Sequence, residues 1–147
     1  MKQKRKVMSE QGLFNFVWRF MEKQGAPSVA QINGKQRCTY RAVDVTGVKA
    51  CAAGCLLSDA EAAAIPASHQ DDSWCVMERF IPARLRPFSD LIQQLQDCHD
   101  GAADDVTYYH DVGFLGSFSK RMRKLAKERG LAASPANPRT NSVDTPG

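Results

Sequence analysis

Apolar positions recur with a helical period at three places along the chain and lose it between them. Leu13, Phe16, Val17, Phe20 and Met21 follow the i, i+3, i+4, i+7, i+8 spacing of one helix face. Ser9 supplies an N-cap, and Gly25 followed by Pro27 supplies a stop, so a first helix is predicted between them. Phe14 and Trp18 lie off this stripe, where they either widen the buried face or form an exposed contact patch. Leu91, Ile92, Leu95 and Cys98 make a second stripe, with Ser89 as cap, Asp90 in the first turn and Gly101 beyond the end. Phe118, Met122, Leu125 and Ala126 make a third, starting near Ser117 or Ser119 and ending at Gly130-Leu131 in the manner of a Schellman motif.

The segments between the stripes read differently. Val29 to Val48 is extended, with turn signals at Asn33-Gly34 and Thr46-Gly47, and predicts an antiparallel hairpin or three-strand meander. Lys49 to Leu57 is small and apolar, suited to close backbone approach deep in the core. Ser58 or Asp59 caps a short helix that Pro66 stops, and 67–72 is a loop. Trp74 to Ile81 fits a strand or a helical turn, Pro82 and Pro87 bracket a connector, and 101–113 reads as a polar loop. The expected fold is therefore α+β. A small antiparallel sheet is packed by an N-terminal helix and two C-terminal helices. Residues 9–131 form one domain, 1–8 a flexible basic arm and 132–147 a disordered tail rich in Pro and small polar residues.

Composition bounds the class. Of 147 residues, 43% are hydrophobic and 24% charged, which excludes a wholly disordered chain. No apolar run approaches the length of about 18 residues needed to span a bilayer, so no membrane partner is expected. Asn15 and Arg19 interrupt Leu13–Met21 and no small-residue cleavage site follows, so a secretory signal is not expected and the address is cytoplasmic. The net charge of +4 conceals a pattern: +7 over residues 1–54, −8 over 55–111 and +5 over 112–147. Such blocks pair with each other on folding, which weakens the total as a sign of a polyanion partner.

Cys38-Thr-Tyr-Arg41, Gly47-Val-Lys-Ala-Cys51-Ala-Ala-Gly-Cys55-Leu-Leu-Ser-Asp59, Leu91-Ile-Gln-Gln-Leu95-Gln-Asp-Cys-His99-Asp100 and Leu125-Ala-Lys-Glu-Arg-Gly130-Leu131 form a recognisable series. Over roughly residues 10–131 it resembles a family of small uncharacterised proteins of tailed bacteriophages and prophages. The most specific part is the Cys-Ala-x-Gly-Cys-Leu core. The chain departs from that pattern where Ala50 separates Lys49 from Cys51, where Ser58 replaces Pro, and over 101–113, which reads as an insertion. The resemblance implies a phage or prophage origin and a host-cytoplasmic address, and no reaction.

Several chemistries are open to these residues. Five cysteines without a secretion signal are expected as reduced thiols. Cys51 and Cys55, four apart, share one face if helical. With Cys38 they offer three zinc ligands, and Cys75, His69 or His99 a fourth. The spacing lacks any Cys-x-x-Cys pair, so packing as small hydrophobes is the competing reading and no cofactor is expected. A thiol enzyme would use Cys51 or Cys55 as nucleophile, His99 as base, and Asp100 or Asp97 as its orienter. The competing reading has His99 meeting free carbonyls at a helix end. His69 and His110 sit beside acidic residues in loops, and Asp97, Asp100, Asp104 and Asp105 lack calcium-loop spacing. Lys120, Arg121, Arg123, Lys124 and Lys127 offer a phosphate-contacting helix face, as does the cluster Lys2, Lys4, Arg5 and Lys6. No helix-turn-helix sequence precedes that helix, so any nucleic-acid contact is expected to be non-specific. With no convincing catalytic set, the expected function is non-enzymatic. The chain reads as a small phage accessory protein binding a host protein, with Phe14, Trp18, Trp74, Tyr108 and Tyr109 as aromatic contacts.

Overall fold

The computed structural model describes residues 8–109 and 111–133. The N-terminal arm 1–7, His110 and the tail from 134 onward lie outside the described residues.

Helix α1 spans Glu10–Gln24. Ser9 Oγ accepts the Gly12 amide at 3.0 Å and caps it, and Gly25 ends it in the left-handed region at φ 75°. The buried stripe differs from the expected one. Leu13, Phe14, Val17, Trp18 and Met21 form it, whereas Phe16 is 46% exposed. The two aromatics account for this rotation: Phe14 and Trp18, at most 2% exposed, meet edge to face at 5.5 Å in the core, while Phe20 packs at its edge.

Two separate ribbons follow in place of one sheet. Strands β1 (Val29–Ile32) and β2 (Lys35–Cys38) pair antiparallel with Val29 opposite Cys38. Asn33 and Gly34 turn them, both with positive φ as a type I′ turn requires. Strands β3 (Arg41–Asp44) and β4 (Gly47–Ala50) pair with Arg41 opposite Ala50. Asp44 accepts the Thr46 amide at 2.7 Å within the second turn. Val43, Val45 and Val48 of this ribbon are exposed.

Helix α2 (Asp59–Ala63) starts at Ser58 with a full capping box, in which Ser58 and Glu61 serve each other's amides. The stretch from Trp74 to Phe88 is a series of 3-10 turns. Helix α3 spans Ser89–Tyr108, and Phe88, not Ser89, occupies its cap position. It runs through the segment expected to be a loop. Ala102 and Ala103 continue its buried face, and the Arg121 guanidinium packs on Gly101, where a Cβ would come within 2.5 Å of it. Tertiary packing offsets the cost, about 1 kcal/mol, of Gly inside a helix.

Helix α4 spans Phe114–Arg129, starting before the two expected serines. Gly130 at φ 69° and a bond from Leu131 N–H to Ala126 O at 2.8 Å complete the expected Schellman end. Helices α3 and α4 make the largest helix pair, and α1 packs on both. The fold is α+β. Its core joins Trp18, Tyr40, Trp74, Leu95, Phe118 and Met122 beneath the ribbons.

Candidate functional site

The segments quoted above as a series meet in space. Tyr40 O accepts the Cys51 amide at 3.4 Å, and Tyr40 Oη donates to Asp72 O at 2.8 Å. Arg41, beginning β3, donates to Gly54 O and to Leu57 O, holding the 3-10 turn Gly54–Leu56. Gly54 is required here because a Cβ would fall 2.2 Å from Tyr40 O. The Ala53 amide donates to Gln96 Oε1 at 2.8 Å, and Gln96 Nε2 donates to Asp100 Oδ1 at 2.7 Å.

His99 is wholly buried, and both its ring nitrogens are engaged. The Ser28 amide donates to Nε2 at 2.9 Å, so Nε2 carries the lone pair and Nδ1 the proton. Nδ1 then donates to Asp100 Oδ1 at 2.9 Å. The ring staples the start of β1 to α3 and has no free lone pair with which to take a proton.

Cys38, His99 and Asp100 place a possible ligand atom each within 4.8 Å of one another. This differs from the expected constellation in two ways. Cys51 and Cys55 do not join it. They lie outside any α-helix, Cys55 on the 3-10 turn Gly54–Leu56 and Cys51 ahead of it: Cys51 Sγ accepts the Gly54 amide at 3.2 Å, while Cys55 Sγ turns to Ala52 O at 3.1 Å. Asp100 enters in their stead. A zinc ion on Nδ1 of His99 would displace its proton onto Nε2, against the Ser28 amide already pointing there. The trio therefore lacks a free imidazole ligand.

The thiols are equally unprepared for attack. Burial pushes Cys51 up to about 12, against partial relief from the Gly54 amide. Burial also raises Cys38, Cys55 and Cys98, with the Asp100 carboxylate adding to the rise at Cys38. Cys75 is exposed on a separate turn, and His69 pairs with Asp72 at 2.6 Å. The arrangement of Cys51 or Cys55 with His99 as base is not formed.

The outer side of this cluster is open. A cleft of about 700 Å³ separates the β1–β2 ribbon from α3. Lys35 and Arg37 line its ribbon wall, Asp100 and Asp104 its helix wall, with Asp71 and Cys38 between. Gln36 Nε2 donates to Thr107 Oγ1 at 3.0 Å and ties the walls together. Tyr108, one of the expected aromatic contacts, lines the cleft and is exposed, as is Tyr109 beside it. Phe14, Trp18 and Trp74 are corrected from contact residues to core. Each is at most 2% exposed, and Trp74 packs on Tyr40 at 6.3 Å between ring centres.

On α4 the expected basic set divides. Arg121 turns inward and donates to Asp105 Oδ2 at 3.0 Å. Lys120, Arg123, Lys124 and Lys127 face solvent.

Neither a family model, a curated protein nor a solved structure matches this chain. Sequence reasoning missed Ser28, Gln96 and the union of Cys38 with Asp100. The one available signal was the i, i+3, i+4 spacing of Gln96, His99 and Asp100 on a single helix face.

Proposed function

We propose that this protein is a non-enzymatic docking module whose cleft, between the β1–β2 ribbon and α3, takes a mixed-charge segment of a partner protein. The opposed charge of the two cleft walls carries the reading. Lys35 and Arg37 face an acidic residue of the guest, while Asp71, Asp100 and Asp104 face a basic one. Tyr108 adds a large amphipathic surface at low entropic cost. The resemblance to phage proteins makes the expected partner a host protein in the cytoplasm. Among the described residues no helix is long and apolar enough to cross a membrane. A thiol- or zinc-dependent activity has less support, because His99 Nε2 is committed to the Ser28 amide.

The test is an array of extended peptides carrying one Arg and one Glu two to four residues apart, against all-basic and uncharged controls. Mixed-charge peptides are expected to bind at roughly tens of micromolar. Asp104→Lys and Lys35→Glu/Arg37→Glu should each weaken them about tenfold, and reversing the peptide charges should restore binding to a protein carrying both changes. Equal binding of the uncharged controls, or indifference to these substitutions, would remove the reading.

A further inference from the structure

The outward face of α4 is separate from the cleft. Lys120, Arg123, Lys124 and Lys127 stand at i, i+3, i+4 and i+7. At 100° per residue they occupy one arc of the helix, opposite the buried Phe118, Met122, Leu125 and Ala126. At 1.5 Å per residue the four cations extend over about 10 Å, a reach that meets more than one phosphate of a nucleic-acid strand.

Charge on this helix is disposed in two ways. The cations that look inward are used: Arg121 by Asp105, and Arg129 by Glu10 at 2.7 Å and by Gln94 at 2.7 Å. None of the four outward cations makes an ion pair within 4.0 Å among the described residues. Asp97 and Glu128 share a shallow depression with Lys124 and leave it unpaired. Arg123 Cζ lies over the Trp18 ring, 6.0 Å from its centre, a cation–π contact that engages no acidic group. Like charges at i, i+4 oppose each other on an isolated helix, so among the described residues the fold sets four mutually repelling cations side by side with no ion pair, Asp105 acting on Lys120 only at longer range.

We infer that this face contacts the phosphate backbone of nucleic acid, without regard to base sequence. Phosphate recognition follows from unpaired cations on one arc. Base reading does not, since no polar side chain with donor and acceptor together, and no exposed aromatic, lies among the four on that arc.

The experiment measures binding of the full chain to a labelled 20-base-pair DNA duplex by fluorescence anisotropy between 50 and 200 mM NaCl. Four contacts predict that log K falls with log salt at a slope of about −3 to −4, with little change between sequences. Lys120→Ala/Lys124→Ala should reduce that slope by about 2, and Lys124→Glu/Lys127→Glu should abolish binding at 150 mM salt. Lys35→Ala/Arg37→Ala, in the cleft, should leave the slope unchanged, so failure here and failure of the docking cleft are read separately. If the α4 substitutions leave affinity and slope intact, binding arises elsewhere on the chain and the inference falls. It falls equally if the wild-type chain does not bind.

Discussion

The neighbourhood of His99 and the outward face of α4 both hold several chemistry-bearing side chains, yet they are built on opposite terms. Around His99, each ring nitrogen, the Gln96 amide group and the thiol of Cys51 has an internal hydrogen-bond partner. On α4, four exposed cations stand together with no ion pair among the described residues. Residue types that suggest reactivity in a sequence are here consumed in joining β1, the Gly54 turn and α3. Residue types that suggest only solubility are left with unspent charge. What a side chain can do for a partner depends on which of its atoms the fold has already used.

The largest expected effect is at the interior. Gly54→Ala sets a Cβ against Tyr40 O and should lower stability by about 3 kcal/mol or more, read as a fall in the urea midpoint. An unchanged midpoint would mean that the interior is not locked there. His99→Leu leaves the Ser28 amide without an acceptor and should cost about 1–3 kcal/mol. The companion measurement is the melting temperature of the wild-type chain with and without one equivalent of zinc. No shift is expected, and a rise would return His99 to the metal ligands.

A smaller effect tests the surface of the interior region. The Arg84 hydrogen bond, with help from the Ser58 amide, holds Glu61 down at about 2. A lowered folded-state value stabilises the fold above the ordinary carboxylate range and loses that contribution as pH falls from about 4.5 toward 2. The pair is largely solvated, so the loss should be only about 0.5 kcal/mol, and Glu61→Gln should remove it from an acid denaturation curve. The smallest effect belongs to α4. Lys120→Ala and Lys124→Ala should alter stability by no more than about 0.5 kcal/mol, although they change the salt slope of DNA binding. A larger stability change would show that these cations serve the fold after all.

Local rules made much of the architecture legible. Ser9 and Gly25 bracket α1, Asn33-Gly34 turns the first ribbon, Ser58 caps α2 and Gly130 closes α4. Those signals act within a few residues and need no tertiary partner. What was not legible depended on tertiary partners. Gly101 looks like a helix end until Arg121 packs on it. Cys51 and Cys55 look like a pair because four-residue spacing implies a shared helical face, but only Cys55 lies on the 3-10 turn and the two thiols take different backbone partners. At the site, the sequence reads His99 and Asp100 as base and orienter for a thiol at Cys51 or Cys55. That the thiol beside them is Cys38, and that Ser28 occupies the imidazole, follows from strand pairing and docking that no sequence window contains.

The Ser28–His99 bond spans 71 residues and joins the first ribbon to α3. Bringing two points so distant together costs more closure entropy than any turn or helix cap in the chain. The ribbons draw on nearby contacts, whereas this docking, like the Arg129–Glu10 pair 119 residues apart, closes a long loop. The walls of the cleft come from the two pieces that this bond joins, so whatever loosens Ser28 from His99 also loosens the spacing of Lys35 and Arg37 from Asp100 and Asp104.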